Sequence, residues 1–341
     1  MRLTITDIAR TAGVSTATVD RVLNDRAGVH ARTKRRVMSA ARSLGYLEPG
    51  GSDAAEAAPP LDLAFIIPGG TNSFFAALSS NLQDLAASHE GRARLHVHRM
   101  EAFHPKSLAA GLRDLASSAD GVGLIAIDHP LVRTAIREAV AGGVRVVTLV
   151  SDISDVPRHF YVGLDNRAAG RLAGHLMGRF LRHTRGKVAL FAGSLLYRGH
   201  EERAIGFRRI LAEEATGLTL LETREMQDDI DLCYREACTL LQSEPDLAGI
   251  YNVGAGNRGI ARALDEAGRA QDVIFIGHEL TEHSRRFLLS GAMDVVIDQN
   301  PRQEAELAVA SLIQAIRGPD QSLRSPQVRA QAIFRENLPD A

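Results

Sequence analysis

The sequence predicts an α/β protein with a small N-terminal three-helix domain and a larger two-lobed core of parallel sheets. Three observations predict this. Turn and cap residues divide the first 47 residues into helical patterns. Residues 49–60 (PGGSDAAEAAPP) are rich in Pro, Gly, Ala and acid, with nothing large to bury. Beyond them, short apolar runs alternate with helical patterns, as repeated βα units do when both faces of a sheet are covered.

The chain has 341 residues, 45% hydrophobic and 24% charged. It is too long for one ordinary core. No apolar run is long enough to span a bilayer, and residues 1–10 lack the apolar stretch of a secretory signal. Two cysteines, Cys233 and Cys238, are too few for a disulfide framework or a zinc cluster. These features predict a cytoplasmic protein. The net charge of −1 conceals an asymmetry. Residues 1–48 hold nine Lys/Arg against four acids, and the remainder holds 31 against 37. A basic segment on an acidic body suits a polyanionic partner for that segment.

The first helix is expected over 5–12, with Thr4 as N-cap and Asp7 three residues on. Gly13 breaks it. Ser15 caps a second helix over 16–24. A third runs from about 31 to 44, with Val37, Ala40, Ala41 and Leu44 at helical spacing. Ala9 is small enough for a close helix crossing, and Val14, Val19 and Val22 lock the first two helices together. Thr16, Ala17, Asp20 and Arg21 are left facing outward. An exposed arginine on such a helix can grip guanine O6 and N7, and helix N-termini can hold phosphates. This is helix-turn-helix mechanics.

The string TITDIARTAGVSTATVDRVLN, with TKRRVMSAARSLGY after it, resembles the head of the lactose-repressor (LacI) family of bacterial regulators. The resemblance implies that Thr16, Ala17 and Arg21 face bases and that Thr4, Ser15 and Thr18 contact phosphates. It also implies a homodimer, whose two heads match a pseudo-palindromic operator in double-stranded DNA. Two features depart from the family. Asp20 stands where Ser is usual; it should repel phosphate but can accept from cytosine N4, so altered base preference is expected. Residues 49–60 contain no Leu, Arg or Lys, so either the minor-groove wedge of the family's hinge helix is absent or something else replaces it, and weak central kinking of the operator is expected.

Strands are expected at 61–67, 94–99, 122–127, 145–149, 187–191, 218–223, 249–252, 273–277 and 294–298. From residue 61 the chain resembles the periplasmic-binding-protein-like core of the same family, akin to ribose-binding proteins. The expected domains are 1–48 for the head, 49–60 for the linker and 61–341 for the core. The N-lobe would take about 61–163 and 300–322, and the C-lobe about 164–299 and 323–341. Ligands of such folds sit at the carboxyl ends of strands. Asn72, Phe74 and Phe75 follow the first strand, an amide beside aromatic faces that can stack on sugar C–H groups. Asp128, His129, Ser151 and Asp152 follow later N-lobe strands. Arg198, His200, Arg203, Asn252, Asn257, Glu279 and Gln299 follow strands of the C-lobe. Such a convergence fits a small polar effector, uncharged or weakly anionic, and the resemblance implies a sugar or polyol. By the same resemblance Glu279 matches an Asp that grips sugar hydroxyls, and Gln299 a Gln near the lobe crossover. Glu201 replaces an Arg of the ribose-binding relatives.

Two alternatives belong to other classes. Residues 254–259 read G-x-G-x-x-G, with Glu279 about twenty residues on, which matches a dinucleotide fingerprint and would indicate an NAD-dependent enzyme. The core alone would also suit a secreted solute-binding protein. Against an enzyme, the motif lies deep in the chain and no acid–base pair accompanies it. No cofactor, catalytic residue or metal site is expected; His96 and His98 alternate along a strand without a third ligand.

Overall fold

The computed structural model describes residues 4–29, 31–46, 59–215, 217–318 and 325–340. Helix α1 (Ile5–Ala12) starts at a capping box: the Thr4 hydroxyl accepts from the Asp7 amide, and the Asp7 carboxylate accepts from the Thr4 amide. Gly13 closes it at φ 60, a left-handed turn that glycine adopts without strain. Helix α2 (Thr16–Leu23) is capped by Ser15, whose hydroxyl accepts from the Thr18 amide, and it ends one residue before the expected Asn24. Helix α3 (Ala31–Ser43) completes the head. Ile8, Ala9, Ala12, Val19, Val22, Val37, Ala40 and Ala41 form its core. Arg36 donates to the Ala12 carbonyl (2.5 Å), satisfying an orphan acceptor at the end of α1. Of the expected linker, only Pro59 and Pro60 are described; the rest, with the kinking expectation tied to it, lies outside the described residues.

The first lobe follows as β1 (Leu61–Pro68), α4 (Ser73–Ser88), β2 (Ala93–Met100), α5 (Pro105–Ala116), β3 (Gly121–Leu124), α6 (Pro130–Ala141), β4 (Arg145–Leu149) and β5 (Phe160–Val162). Its strands are parallel in the order β2-β1-β3-β4-β5. Strand β3 is fully buried and β1 nearly so, as strands covered on both faces must be. The expected strand 122–127 leaves the ladder after Leu124, although Ile125, Ala126 and Ile127 stay buried.

The second lobe contains α7 (Asn166–Phe180), β6 (Gly186–Ala192), α8 (Arg198–Glu214), β7 (Leu218–Glu225), α9 (Ile230–Ser243), β8 (Leu247–Asn252), α10 (Asn257–Glu266), β9 (Ile274–His278), α11 (Glu282–Ser290) and β10 (Val295–Asp298). Helix α12 (Pro301–Arg317) then returns to pack on α4 and β4 of the first lobe. Strand β11 (Gln331–Ile333) rejoins the second sheet antiparallel to β10. That sheet runs β11-β10-β9-β8-β6-β7. The chain therefore crosses between lobes after β5, after β10 and before β11; the first and last crossings touch, Val328 donating to the Gly163 carbonyl (3.2 Å). The three-residue strands β5 and β11 were not among the expected ones.

Candidate functional site

The strand ends of both sheets face one cleft. The β1 end brings Asn72, Phe74 and Phe75, and the β4 end brings Val150 and Ser151. From the other lobe come Tyr197, His200 and Arg203 after β6, residues 253–255 after β8, Glu279 after β9 and Gln299 after β10. These groups surround about 410 Å³ of space, part of it open to solvent. Phe74 and Phe75 meet edge to face, ring centroids 6.0 Å apart, and are buried in the first lobe's core while still lining the cleft. Structural and ligand-facing readings of the pair are thus compatible.

Arg203 organises the floor. It is 3% exposed. Its Nε donates to Asn166 Oδ1 (2.7 Å), Nη1 to the Val253 carbonyl (2.9 Å) and Nη2 to Gln299 Oε1 (3.3 Å). Gln299 Nε2 in turn donates to Glu279 Oε1 (2.6 Å), which lies 3.8 Å from the guanidinium. Glu279 Oε2 is buried without a hydrogen bond among the described residues. Burial drives the Glu279 carboxyl up to about 8, Arg203 opposing the shift and Asp298 and Asp228 adding to it. Burial holds His200 down at about 4, so it is neutral. Backbone strain gathers here too: Val150 (φ 59), Asp228 (φ 58), Glu279 (φ 72) and Asn300 (φ 53) are left-handed. Residues in such conformations cluster at binding and switch sites.

Asp228, which sequence reasoning missed, joins the lobes. Asn72 Oδ1 caps α4 by accepting from the Phe74 and Phe75 amides, while Asn72 Nδ2 reaches across to Asp228 Oδ2 (2.9 Å). Asp228 Oδ1 accepts from the Ala255 amide (3.0 Å). Tyr197 was missed as well; it is buried and packs on Phe103 of the first lobe, centroids 5.2 Å apart. Asp228 stands beside the cap of α9, and Tyr197 at the cap of α8, where a sequence displays only helix punctuation.

Several expected cleft residues do other work. Asp128 accepts from Arg133 (2.7 Å) and Ser154 (2.7 Å). His129 caps α6 through Nδ1. Asp152 accepts from Thr148 Oγ1 (2.7 Å) and from Arg158. Arg198 pairs with Glu202 (3.0 Å). None of these four lines the cleft space; opposite charges hold Asp128, Asp152 and Arg198, and the start of α6 holds His129. Asn252 and Asn257 bond to each other (2.7 Å), to the Ala255 and His278 carbonyls and to the Gly254 amide. They shape the 254–259 loop. Ser151 accepts from the Gly199 amide across the cleft (3.3 Å).

The glycines of that loop have packing reasons. Gly256 sits at φ 103, and a Cβ on Gly259 would overlap the Ile230 carbonyl where α10 crosses α9. Among the described residues no group of three or more His, Cys, Asp or Glu could hold a metal. None of the described helices is long and apolar enough to cross a membrane.

In the head, Thr16, Ala17 and Arg21 are exposed on α2. Ser15 Oγ and Thr18 Oγ1 lie 2.8 Å apart. Asp20 Oδ1 accepts from Asn24 Nδ2 (2.8 Å) and Oδ2 from Arg26 (3.3 Å), so both oxygens are engaged within the DNA-free head.

Known proteins agree with this architecture. Residues 63–320 match the periplasmic binding protein domain, and residues 4–48 match the lacI family of bacterial regulatory proteins. Catabolite control protein A of Priestia megaterium is 33% identical over 90 residues, 26% of this chain and 27% of that one. The HTH-type transcriptional regulator pepR1 of Lactobacillus delbrueckii subsp. lactis is 29% identical over 191 residues, 56% of this chain and 55% of that one. The chain thus aligns with between about a quarter and about a half of the length of these relatives. Among solved structures, a glucose-galactose binding protein of Geobacillus stearothermophilus superposes with a TM-score of 0.75 at 22% identity, covering 82% of this chain and 99% of that one. A solute-binding protein of Burkholderia graminis in complex with D-arabinose gives 0.76 at 23%, covering 84% and 98%. The chain belongs to the periplasmic binding protein domain family through its two-lobed core, and it carries at its N-terminus a helix-turn-helix domain of the lacI family of bacterial regulators.

Proposed function

We propose that the protein is a cytoplasmic, sequence-specific DNA-binding regulator, most simply a repressor, and not an enzyme. Its operator affinity is set by a small hydroxylated ligand, a sugar or polyol, held between the lobes. The observation that carries this reading is the union in one chain of a helix-turn-helix head with a cleft whose walls come from both lobes. A ligand touching Asn72, Phe75 and Ser151 on one side and His200, Glu279 and Gln299 on the other stabilises closure, because only the closed cleft offers both sets. Two copies of the chain place two heads on a two-fold axis, matching an inverted-repeat operator. Closure changes how the first lobes pair and so the spacing of the heads. The coupling is reciprocal, so operator must alter ligand affinity by the same factor.

Thr16, Ala17 and Arg21 read bases in this account, and Thr4, Ser15 and Thr18 lie toward phosphates. Selection from a random DNA pool with the purified protein should yield an inverted repeat. On that site Arg21→Ala should cost about 1–3 kcal/mol while leaving affinity for random DNA nearly unchanged. Equal loss on both DNAs would make Arg21 a phosphate contact, and recovery of no common sequence would remove the regulator reading.

A further inference from the structure

The cleft's hydrogen-bonding inventory is lopsided. The buried cation is largely committed: each of the three Arg203 nitrogens donates to a protein acceptor, which leaves one N–H on Nη1 and one on Nη2. The carboxyl group opposite is not: among the described residues Glu279 Oε2 has no donor, and Asp228 stands close enough to raise the Glu279 carboxyl further. Beside Glu279, Glu304 is fully buried on α12, with neither carboxyl oxygen bonded among the described residues. Buried acids around this floor therefore outnumber the single arginine. The remaining walls are aromatic: Phe74, Phe75 and Tyr197, the last 2% exposed with its hydroxyl near the Phe103 backbone yet unbonded. Among the described residues, an anionic ligand would find one buried cation, already committed through all three of its nitrogens. A cationic one would find an unpaired carboxyl oxygen, which it can bring to ionise, and aromatic walls.

We propose that the ligand is a hydroxylated amine, an amino sugar or amino polyol, whose ammonium donates to Glu279 Oε2 while its hydroxyls meet Ser151, His200 and Tyr197. This inference rests on the reading of the cleft as a sugar or polyol site and narrows it. The pairing argues for it: a ligand ammonium supplies both the donor that Glu279 Oε2 lacks and the counter-charge that lets this carboxyl ionise. Glu279 ionises on binding, and its proton leaves to the buffer.

The test uses the full-length protein and matched sets: D-glucosamine, D-glucose and N-acetyl-D-glucosamine; the galactose and mannose counterparts; and 1-amino-1-deoxysorbitol against sorbitol. Thermal shift identifies binders, and calorimetry in buffers of different ionisation enthalpy reads affinity and proton release. At least one amine should bind at least about tenfold tighter than both its hydroxyl and its N-acetyl twin, since a charge-assisted bond exceeds a neutral one by about that factor. It should also release a proton at pH 7, and Glu279→Gln should abolish both preference and release. A neutral sugar or polyol that binds as well as its amine twin, without proton release, would overturn the amine inference and leave the sugar-sensor reading standing. No binding by any member of either class would overturn both. The comparison among twins needs no variant, so it stands even if Glu279→Gln fails to fold.

Discussion

The head and the cleft hold their polar side chains in opposite ways. In the head most partners are neighbours in sequence: Thr4 with Asp7, Ser15 with Thr18, Asp20 with Asn24 and Arg26, all at exposed positions, with Arg36 on the Ala12 carbonyl as the longer, part-buried exception. In the cleft they are remote and buried. Arg203 meets residues 37, 50 and 96 positions away, and Asn72 meets Asp228 at a separation of 156. The contrast teaches where energy and where specificity reside. Exposed local bonds contribute little to stability and leave the surface free to read DNA. Buried remote bonds tie the floor of the cleft together, so that strain or charge at one residue is felt by all.

Removing Arg203 should break that floor and leave the head untouched. Arg203→Met deprives Asn166, the Val253 carbonyl and Gln299 of donors and leaves Glu279 without its nearby cation. A loss of about 3–5 kcal/mol is expected for the core, as for other broken buried pairs. Urea melts followed by circular dichroism should register it, while binding to non-specific DNA persists. A loss under about 1 kcal/mol would place Arg203 among the marginal exposed pairs and dissolve the contrast.

A smaller effect separates the two regions by pH. The Glu279 carboxyl rises from an ordinary 4.5 to about 8 in the folded state. Between those values the unfolded chain has lost the proton that the folded one retains, so stability falls as pH rises from about 4.5 to about 8 and levels off above. Arg203, Asp298, Asp228 and Glu304 act on this group; Asp298 and Glu304 are themselves shifted upward and titrate in both proteins compared. Glu279→Gln removes only its own contribution. The variant should therefore gain on the parent by on the order of 1–3 kcal/mol between pH 5 and pH 8. Parallel stability profiles would mean that Glu279 is ionised throughout.

The same contrast decides what could be read without coordinates. Thr4, Ser15 and Gly13 were legible because caps and left-handed turns are written within four residues. Strand ends were legible as places, which is why Phe75, Ser151, His200, Glu279 and Gln299 stand at the cleft. Which polar residue at a strand end turns inward was not legible. Asp128 and Asp152 found arginines beside them, whereas Asp228, with no signal beyond a neighbouring helix cap, turned to Asn72. The glycine motif misled for a related reason: glycine is demanded by a close helix crossing as strongly as by a phosphate, and Gly259 serves the crossing of α10 over α9.

The smallest expected effect tests whether the head is as local as it looks. Asp20 and Arg26 are 43% and 65% exposed, so Asp20→Ser should change stability by less than about 0.5 kcal/mol. Its consequence belongs to DNA. An acid on the DNA-facing side repels phosphate and occupies the Arg26 guanidinium. Without it, Arg26 is free to contact the backbone, and one added phosphate contact steepens the dependence of log affinity on log salt by about one. Because backbone contacts carry no sequence information, the gain should be equal on selected and random DNA. A different result would be as informative. If the salt slope is unchanged while preference relaxes at a single C·G pair, then Asp20 leaves Arg26 on binding and accepts from cytosine N4. The local network of the free head would then be a resting arrangement that the operator dismantles.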